Sequence, residues 1–171
     1  MFRYLSPSFM RSFDNADPNL TYSAMFAPMR FLRVQALGAE LAFDAASLCD
    51  LLDLADTHAP VRFGRGLVMF YESRIIPLVD YRSPPSRGTA LTGAQLVIAQ
   101  VQRRRFALVV DCIKEQVSVD YAEICVPERA LADWCPAYLV GCIWREGSEV
   151  YLIDLERLLG PAIRTYLNPS K

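Results

Sequence analysis

A side chain that attacks a substrate needs a base beside it, and the 171-residue chain has one histidine, His58, in the loop-like run Asp56-Thr57-His58-Ala59-Pro60. Its five cysteines, Cys49, Cys112, Cys125, Cys135 and Cys142, are scattered through apolar runs and form no C-x-x-C pair. A cysteine hydrolase would need one of them next to His58. The spacing offers no such pair, so a solvated loop histidine and reduced core thiols are expected. Zinc needs four N/S ligands at tight spacing, and Cys125, Cys135 and Cys142 stand in separate elements with no second histidine. Neither G-x-x-x-x-G-K-[ST] nor G-x-G-x-x-G occurs, so no loop is built to cradle phosphates. No catalytic residue, metal ligand or cofactor is expected.

Charged residues remain. Asp80 and Asp154 each follow an apolar run and precede helix-like sequence, which suits N-capping better than paired acid chemistry. Asp111 differs: it sits inside a strand-like run before Cys112-Ile113-Lys114, where a carboxylate needs a partner or an exposed face. Arg103-Arg104-Arg105 falls at a hairpin turn, as a solvated tip that blocks aggregation or as a contact for an acidic or phosphorylated partner. Pro84-Pro85 reads as plain loop rather than an SH3 ligand.

These side chains have to be positioned by short strands. Phe31 to Leu37 and Leu41 to Phe43 form a hairpin around Gly38-Ala39-Glu40, after which Asp44 caps a helix to about Leu54, with Ala45, Leu48, Leu51 and Leu52 on one face. Leu67–Tyr71 and Ile75–Val79 flank Glu72-Ser73-Arg74, with Pro77 expected at an edge or a bulge. Residues 83–93 have loop composition. Gln95–Val101 and Phe106–Val110 make a third hairpin, followed by a strand from Ile113 to Val119, a capped turn at Asp120–Glu123 and a short helix from Glu128 to Trp134. Tyr138–Trp144 and Glu149–Ile153 make the last hairpin, and a helix from Leu155 stops at Gly160-Pro161.

Composition bounds the function. Hydrophobic residues make up 53% and charged ones 22%, enough for a packed core. With 18 basic against 19 acidic residues the net charge is −1, which offers no broad basic face for nucleic acid or anionic lipid. There is no run of 18 apolar residues, and the start Met1-Phe2-Arg3-Tyr4-Leu5-Ser6-Pro7 lacks a signal core, so a cytoplasmic protein without direct membrane insertion is expected. Residues 1–29 carry aromatics without a period and read as an irregular extension, residues 30–162 as one domain, and residues 163–171 as a tail.

Two hairpins echo each other: Gly66, a strand, a polar turn and Ile76-Pro77-Leu78-Val79-Asp80; then Gly141, a strand, a polar turn and Val150-Tyr151-Leu152-Ile153-Asp154. With many short strands around them, this points to a mainly β fold of two similar small barrels, with a single sandwich as the alternative.

The ordered segments resemble the CheW family of chemotaxis adaptors over most of Arg30 to Leu159. The opening Phe31-Leu32-Arg33-Val34 to Phe43-Asp44 carries the likeness first. Ile75 to Arg82 is similar to the family's apolar-x-P-apolar-apolar-D-L-R signature, Phe106 to Ile113 to its V-V-D-x-V strand, and Tyr138-Leu139-Val140-Gly141 to its Y-L-x-G ending. The resemblance implies two SH3-like five-stranded β-barrel lobes with short helices, including a C-terminal one. It also implies a non-catalytic adaptor recruited to membrane-associated receptor arrays. Its partners would be the regulatory domain of a CheA-type histidine kinase and the cytoplasmic tip of a methyl-accepting chemotaxis receptor. Carried over by position, Leu48, Asp50 and Leu51 touch the kinase; Tyr71, Glu72, Ser73 and Arg74 match the family's N-L-R-G coupling turn; Val109, Asp111 and Ile113 border the receptor groove. Glu72-Ser73 stands where the family has Arg-Gly, a reversal of charge that an interface penalises. A degenerate scaffold or spacer without receptor binding is therefore the alternative, and a cysteine-dependent enzyme a remoter one.

Overall fold

A computed structural model of the chain describes residues 27–56, 59–63, 66–82, 94–127 and 137–167. The extension up to residue 26, His58, the loop at 83–93, Cys135 and the expected helix from Glu128 to Trp134 lie outside the described residues.

Eleven strands are described: β1 (Met29–Ala36), β2 (Ala39–Asp44), β3 (Leu48–Asp53), β4 (Val61–Phe63), β5 (Gly66–Tyr71), β6 (Arg74–Asp80), β7 (Gln95–Val101), β8 (Arg104–Val110), β9 (Cys112–Val119), β10 (Leu139–Arg145) and β11 (Ser148–Ile153). They are followed by one α-helix, α1 (Leu155–Leu167). They form two sheets, in the orders β10-β11-β2-β1-β9 and β3-β7-β8-β6-β5-β4. The echo seen in sequence extends to the topology. Read as β5-β6-β8-β7-β3, the second sheet repeats the first position by position, down to the parallel pairs β11 with β2 and β6 with β8. The second lobe has six strands rather than the expected five, because β4 adds to the outer side of β5.

Neither sheet closes by a continuous ladder. Each curls until its far strands meet through side chains: Arg145 of β10 donates to the Ser118 carbonyl of β9 at 3.3 Å, and the Tyr71 hydroxyl of β5 donates to Asp50 of β3 at 3.1 Å. Strands pointing alternate residues to opposite sides fill three cores. One lies inside each curl, around Phe31, Val119 and Ile143 in the first lobe and around Met69, Leu96 and Val109 in the second. The largest is shared, with Leu32, Phe43, Val97, Phe106 and Leu108 from both sheets closed over by Leu155, Leu158, Leu159 and Ile163 of α1.

Four of the hairpins turn through residue pairs in the left-handed region, Leu37-Gly38, Glu72-Ser73, Gln102-Arg103 and Glu146-Gly147, the geometry that matches strand twist. Two of these turns contain no glycine.

Three expectations are corrected. The helix expected from Asp44 to Leu54 is a single 3-10 turn, Ala45–Ser47, capped by the Asp44 carboxylate on the Ala46 N–H at 3.0 Å, followed by strand β3. Pro77 lies in an interior strand. It is tolerated because β6 pairs with β8 only from Leu78 onward, so the missing N–H falls before that ladder begins. The last helix runs through Gly160-Pro161 to Leu167, because Ile163 still reaches the shared core and the bond Pro161 cannot make leaves only the carbonyl of exposed Arg157 without its helical donor. The expected caps appear at Asp154, which accepts from the N–H groups of Glu156 and Arg157 at 2.9 and 3.2 Å, and at the Asp120–Glu123 capping box. Asp80 instead closes a two-residue turn, accepting from the Arg82 backbone and gripping its guanidinium at 2.9 and 2.8 Å.

Candidate functional site

The residues singled out in sequence fall into two clusters. The first is at the open end of the second lobe. Leu48, Asp50 and Leu51 sit on β3, whose pairing with β7 shifts register between Leu48 and Asp50, so these two residues do not share a face. Leu48 packs against the shared core, Asp50 turns into the curl, and Leu51 faces solvent at 42% exposure. Asp50 is held by two bonds, accepting from the Leu51 N–H at 2.9 Å and from the Tyr71 hydroxyl. That second bond joins the residues matched to kinase contact with those matched to coupling, although they are 21 positions apart in sequence.

Tyr71 is constrained further. The Arg105 guanidinium carbon lies 5.7 Å from its ring centroid, in cation-π range, and the same guanidinium is ion-paired with Glu72. Burial, then the hydrogen bond and negative charge of Asp50, push the Tyr71 hydroxyl up to about 12. The turn residues Glu72 and Ser73 have φ of 43° and 61°, and Arg74 begins β6 with an exposed side chain. Glu72, the acid expected where the family has arginine, is thus paired within the chain, by an arginine that the sequence left either as a solvated tip or as a contact for an acidic partner.

The second cluster lies on the seam between the lobes. Asp111, the single residue between β8 and β9, marks the crossing from one sheet to the other, and its N–H donates to the Gln35 carbonyl at 2.9 Å. Its half-buried carboxylate faces Arg82, whose charge is favoured first by the bond to Asp80 and, after burial opposes it, by the charges of Asp80 and Asp111. That supplies the partner a strand-like carboxylate requires. Ile113 packs half-buried against the shared core, and its N–H donates to the Gln95 side chain at 2.6 Å. Val109 is placed differently from its neighbours: it is fully buried in the core of the second lobe and can shape the seam only from beneath. Two further bonds pin the seam, Leu37 N–H to the Tyr81 carbonyl at 2.7 Å and the Tyr81 hydroxyl to the Leu158 carbonyl at 3.3 Å.

Sequence reading also missed a buried arginine. Arg33, on the inner face of the first lobe, is 2% exposed and forks to Glu40 on β2, Glu115 on β9 and Glu146 in the last hairpin turn. Lys114 reaches Glu40 from the other side at 2.8 Å. The cysteines are not all core thiols: Cys49 and Cys112 are exposed, Cys125 is half-buried, and only Cys142 of those described is buried. Among the described residues no group of three His, Cys, Asp or Glu side chains could hold a metal ion, and no helix is long and apolar enough to cross a membrane.

Comparison with known proteins agrees with this layout. No curated protein sequence matches the chain. Among solved structures, the crystal structure of the scaffolding protein TtCheW from Thermoanaerobacter tengcongensis superposes with a TM-score of 0.62 at 15% identity, over 77% of this chain and 92% of that one, a likeness of fold. The family model for the CheW-like domain matches residues 30–162, the span that holds both sheets and both clusters. The chain belongs to the CheW-like domain family.

Proposed function

We propose that the chain is a non-catalytic chemosensory adaptor, holding the regulatory domain of a CheA-type histidine kinase on the open end of its second lobe and the cytoplasmic tip of a methyl-accepting receptor along its seam. The observation that carries this reading is the bond between Asp50 and Tyr71. It sets Asp50, the neighbour of Leu51 on β3, against Tyr71, which leads into the turn Glu72-Ser73-Arg74, so the positions matched to kinase contact and to coupling are neighbours across the curl. Pairing of Glu72 with Arg105 favours a tip that still binds over a spacer without receptor binding, because the acid is neutralised and Arg74 is left to present positive charge. Asp111 and Ile113 supply the receptor side, with Val109 as packing beneath. Recruitment to cytoplasmic receptor arrays follows from this pairing of partners, and residues 1–29 would lie outside the adaptor domain.

The test is capture of the kinase from the native cell by the tagged full chain and by Leu51→Asp. Leu51 still exposes about two-fifths of its surface, so its burial contributes about 1 kcal/mol, and placing a carboxylate there adds a desolvation cost. Capture should therefore fall at least about tenfold. Equal capture would refute the kinase surface, and failure of the native chain to retain any histidine kinase or receptor would refute the adaptor reading.

A further inference from the structure

Cys125 and Cys142 form an isolated antiparallel bridge on the edge of β10. The Cys125 N–H donates to the Cys142 carbonyl at 2.8 Å, and the Cys142 N–H donates back to the Cys125 carbonyl at 2.9 Å. A hydrogen-bonded antiparallel pair of this kind holds its Cα atoms about 5.5 Å apart, inside the range a disulfide spans. The side chains point the same way, with Sγ atoms 2.9 Å apart, and no disulfide joins them. Gly141 allows the approach: a Cβ there would lie 2.7 Å from Ile124 Cγ2 and 3.2 Å from the Cys125 carbonyl oxygen, so a larger residue would force Ile124 and the adjoining backbone to shift. The two thiols also differ in access, since Cys125 is half-buried and Cys142 is 0% exposed.

We propose that Cys125 and Cys142 are a reversible dithiol oxidation site, with hydrogen peroxide as the oxidant. The Cys125 thiolate attacks the peroxide, the O–O bond breaks, hydroxide leaves and takes up a proton as water, and Cys125 becomes a sulfenic acid. Cys142 then attacks that sulfur. The S–O bond breaks, the S–S bond forms, and the hydroxyl leaves with the Cys142 proton as a second water. Two thiols are oxidised by two electrons and one peroxide is reduced to two waters. The access difference sets the order, with Cys125 meeting the oxidant and Cys142 resolving it. The product makes covalent a contact now held by two hydrogen bonds. It fixes to β10 the segment that carries the 3-10 turn Tyr121–Glu123 and exposed Val126. Cys49 and Cys112, exposed on β3 and β9 in different sheets, serve as internal controls.

The test treats the reduced full chain with substoichiometric hydrogen peroxide, denatures it, alkylates the remaining thiols and maps them by mass spectrometry without reductant. The expected result is a linked Cys125–Cys142 peptide as the main product, lighter by two hydrogens and reversed by dithiothreitol. The Cys142→Ala variant should give no linked peptide and should accumulate a dimedone-reactive sulfenic acid at Cys125. Should Cys142→Ala fail to fold by circular dichroism, the exposed-side variant Cys125→Ser takes its place, with Cys142 expected to stay alkylatable. Full alkylation of both Cys125 and Cys142 while Cys49 or Cys112 is oxidised would overturn the proposal. So would linkage mainly between chains through Cys49 or Cys112.

Discussion

Replacing Arg33 by alanine tests whether the first lobe depends on a single buried cation. Glu40 is only 11% exposed, so its pairing with Arg33 is the one that matters, whereas Glu115 and Glu146 are 58% and 77% exposed and each contributes under about 1 kcal/mol. Removing one partner of a buried pair costs about 3–5 kcal/mol, and Lys114 still neutralises Glu40, which places Arg33→Ala near the low end, about 3 kcal/mol. For a chain of this size that is a fall of about 6–12 °C in melting temperature. The double replacement Arg33→Met with Glu40→Leu should recover most of it, since apolar packing can stand in for a buried pair. The pH dependence has a definite sign. Burial alone would raise the Glu40 carboxyl, but hydrogen bonds from Lys114 and Arg33, with their charges, outweigh it and hold the group below its ordinary value. Its contribution is therefore complete above the ordinary carboxylate range and is lost as pH falls through the depressed value. Urea denaturation of the single and double variants at neutral pH, repeated at acid pH, measures all of this. A loss under about 1 kcal/mol for Arg33→Ala, or an equal loss for Glu146→Ala alone, would refute the reasoning.

Other consequences can be read in simpler assays. Tyr71 and Tyr81 should ionise well above the ordinary tyrosine value in a near-ultraviolet titration, and Asp50→Asn should bring the Tyr71 step down. Because both hydroxyls are raised, stability should hold below about pH 10 and fall as pH rises toward the folded values. Ser73→Gly and Arg103→Gly, at φ of 61° and 64°, should each raise stability by about 0.5–1 kcal/mol, while Gly147→Ala, at φ 80°, should lower it by about 1 kcal/mol; chemical denaturation reads both signs. Asp154→Ala should cost about 1–2 kcal/mol by the same measurement, since two N–H groups at the start of α1 lose their acceptor.

What was legible in the sequence followed how locally it was encoded. Hairpins stood out because alternation and a polar turn lie within a dozen residues, and Asp154 because a cap is contiguous with its helix. β3 was misread because Leu48, Leu51 and Leu52 also fit a helical face; pairing with β7 decides the matter, and burial alternates along the strand with period two. Pro161 looked like a terminator, but the pull of the core at Ile163 is a tertiary effect. The partners of Arg33, Glu72 and Cys125 were invisible for the same reason. Arg33 finds Glu115 82 residues away and Arg105 finds Glu72 33 away, separations at which no spacing rule operates.

The topology gives these long-range contacts a common purpose. β3 to β8 form one continuous stretch inserted between β2 and β9, so the second lobe is carried by the first through Ala45–Ser47 and Asp111. A hinge at two such crossings would let the lobes swing. Here the bonds from Leu37 to Tyr81, from Asp111 to Gln35 and from Ile113 to Gln95, above a core drawn from both sheets and α1, oppose that motion. Under the proposed function, with one partner at the far end of a lobe and another along the seam, orientation is transmitted only if the distance between those surfaces is fixed. Asp111 matters less as a surface charge than as the point where the chain changes sheets, and its replacement should be judged by whether both lobes keep their mutual position.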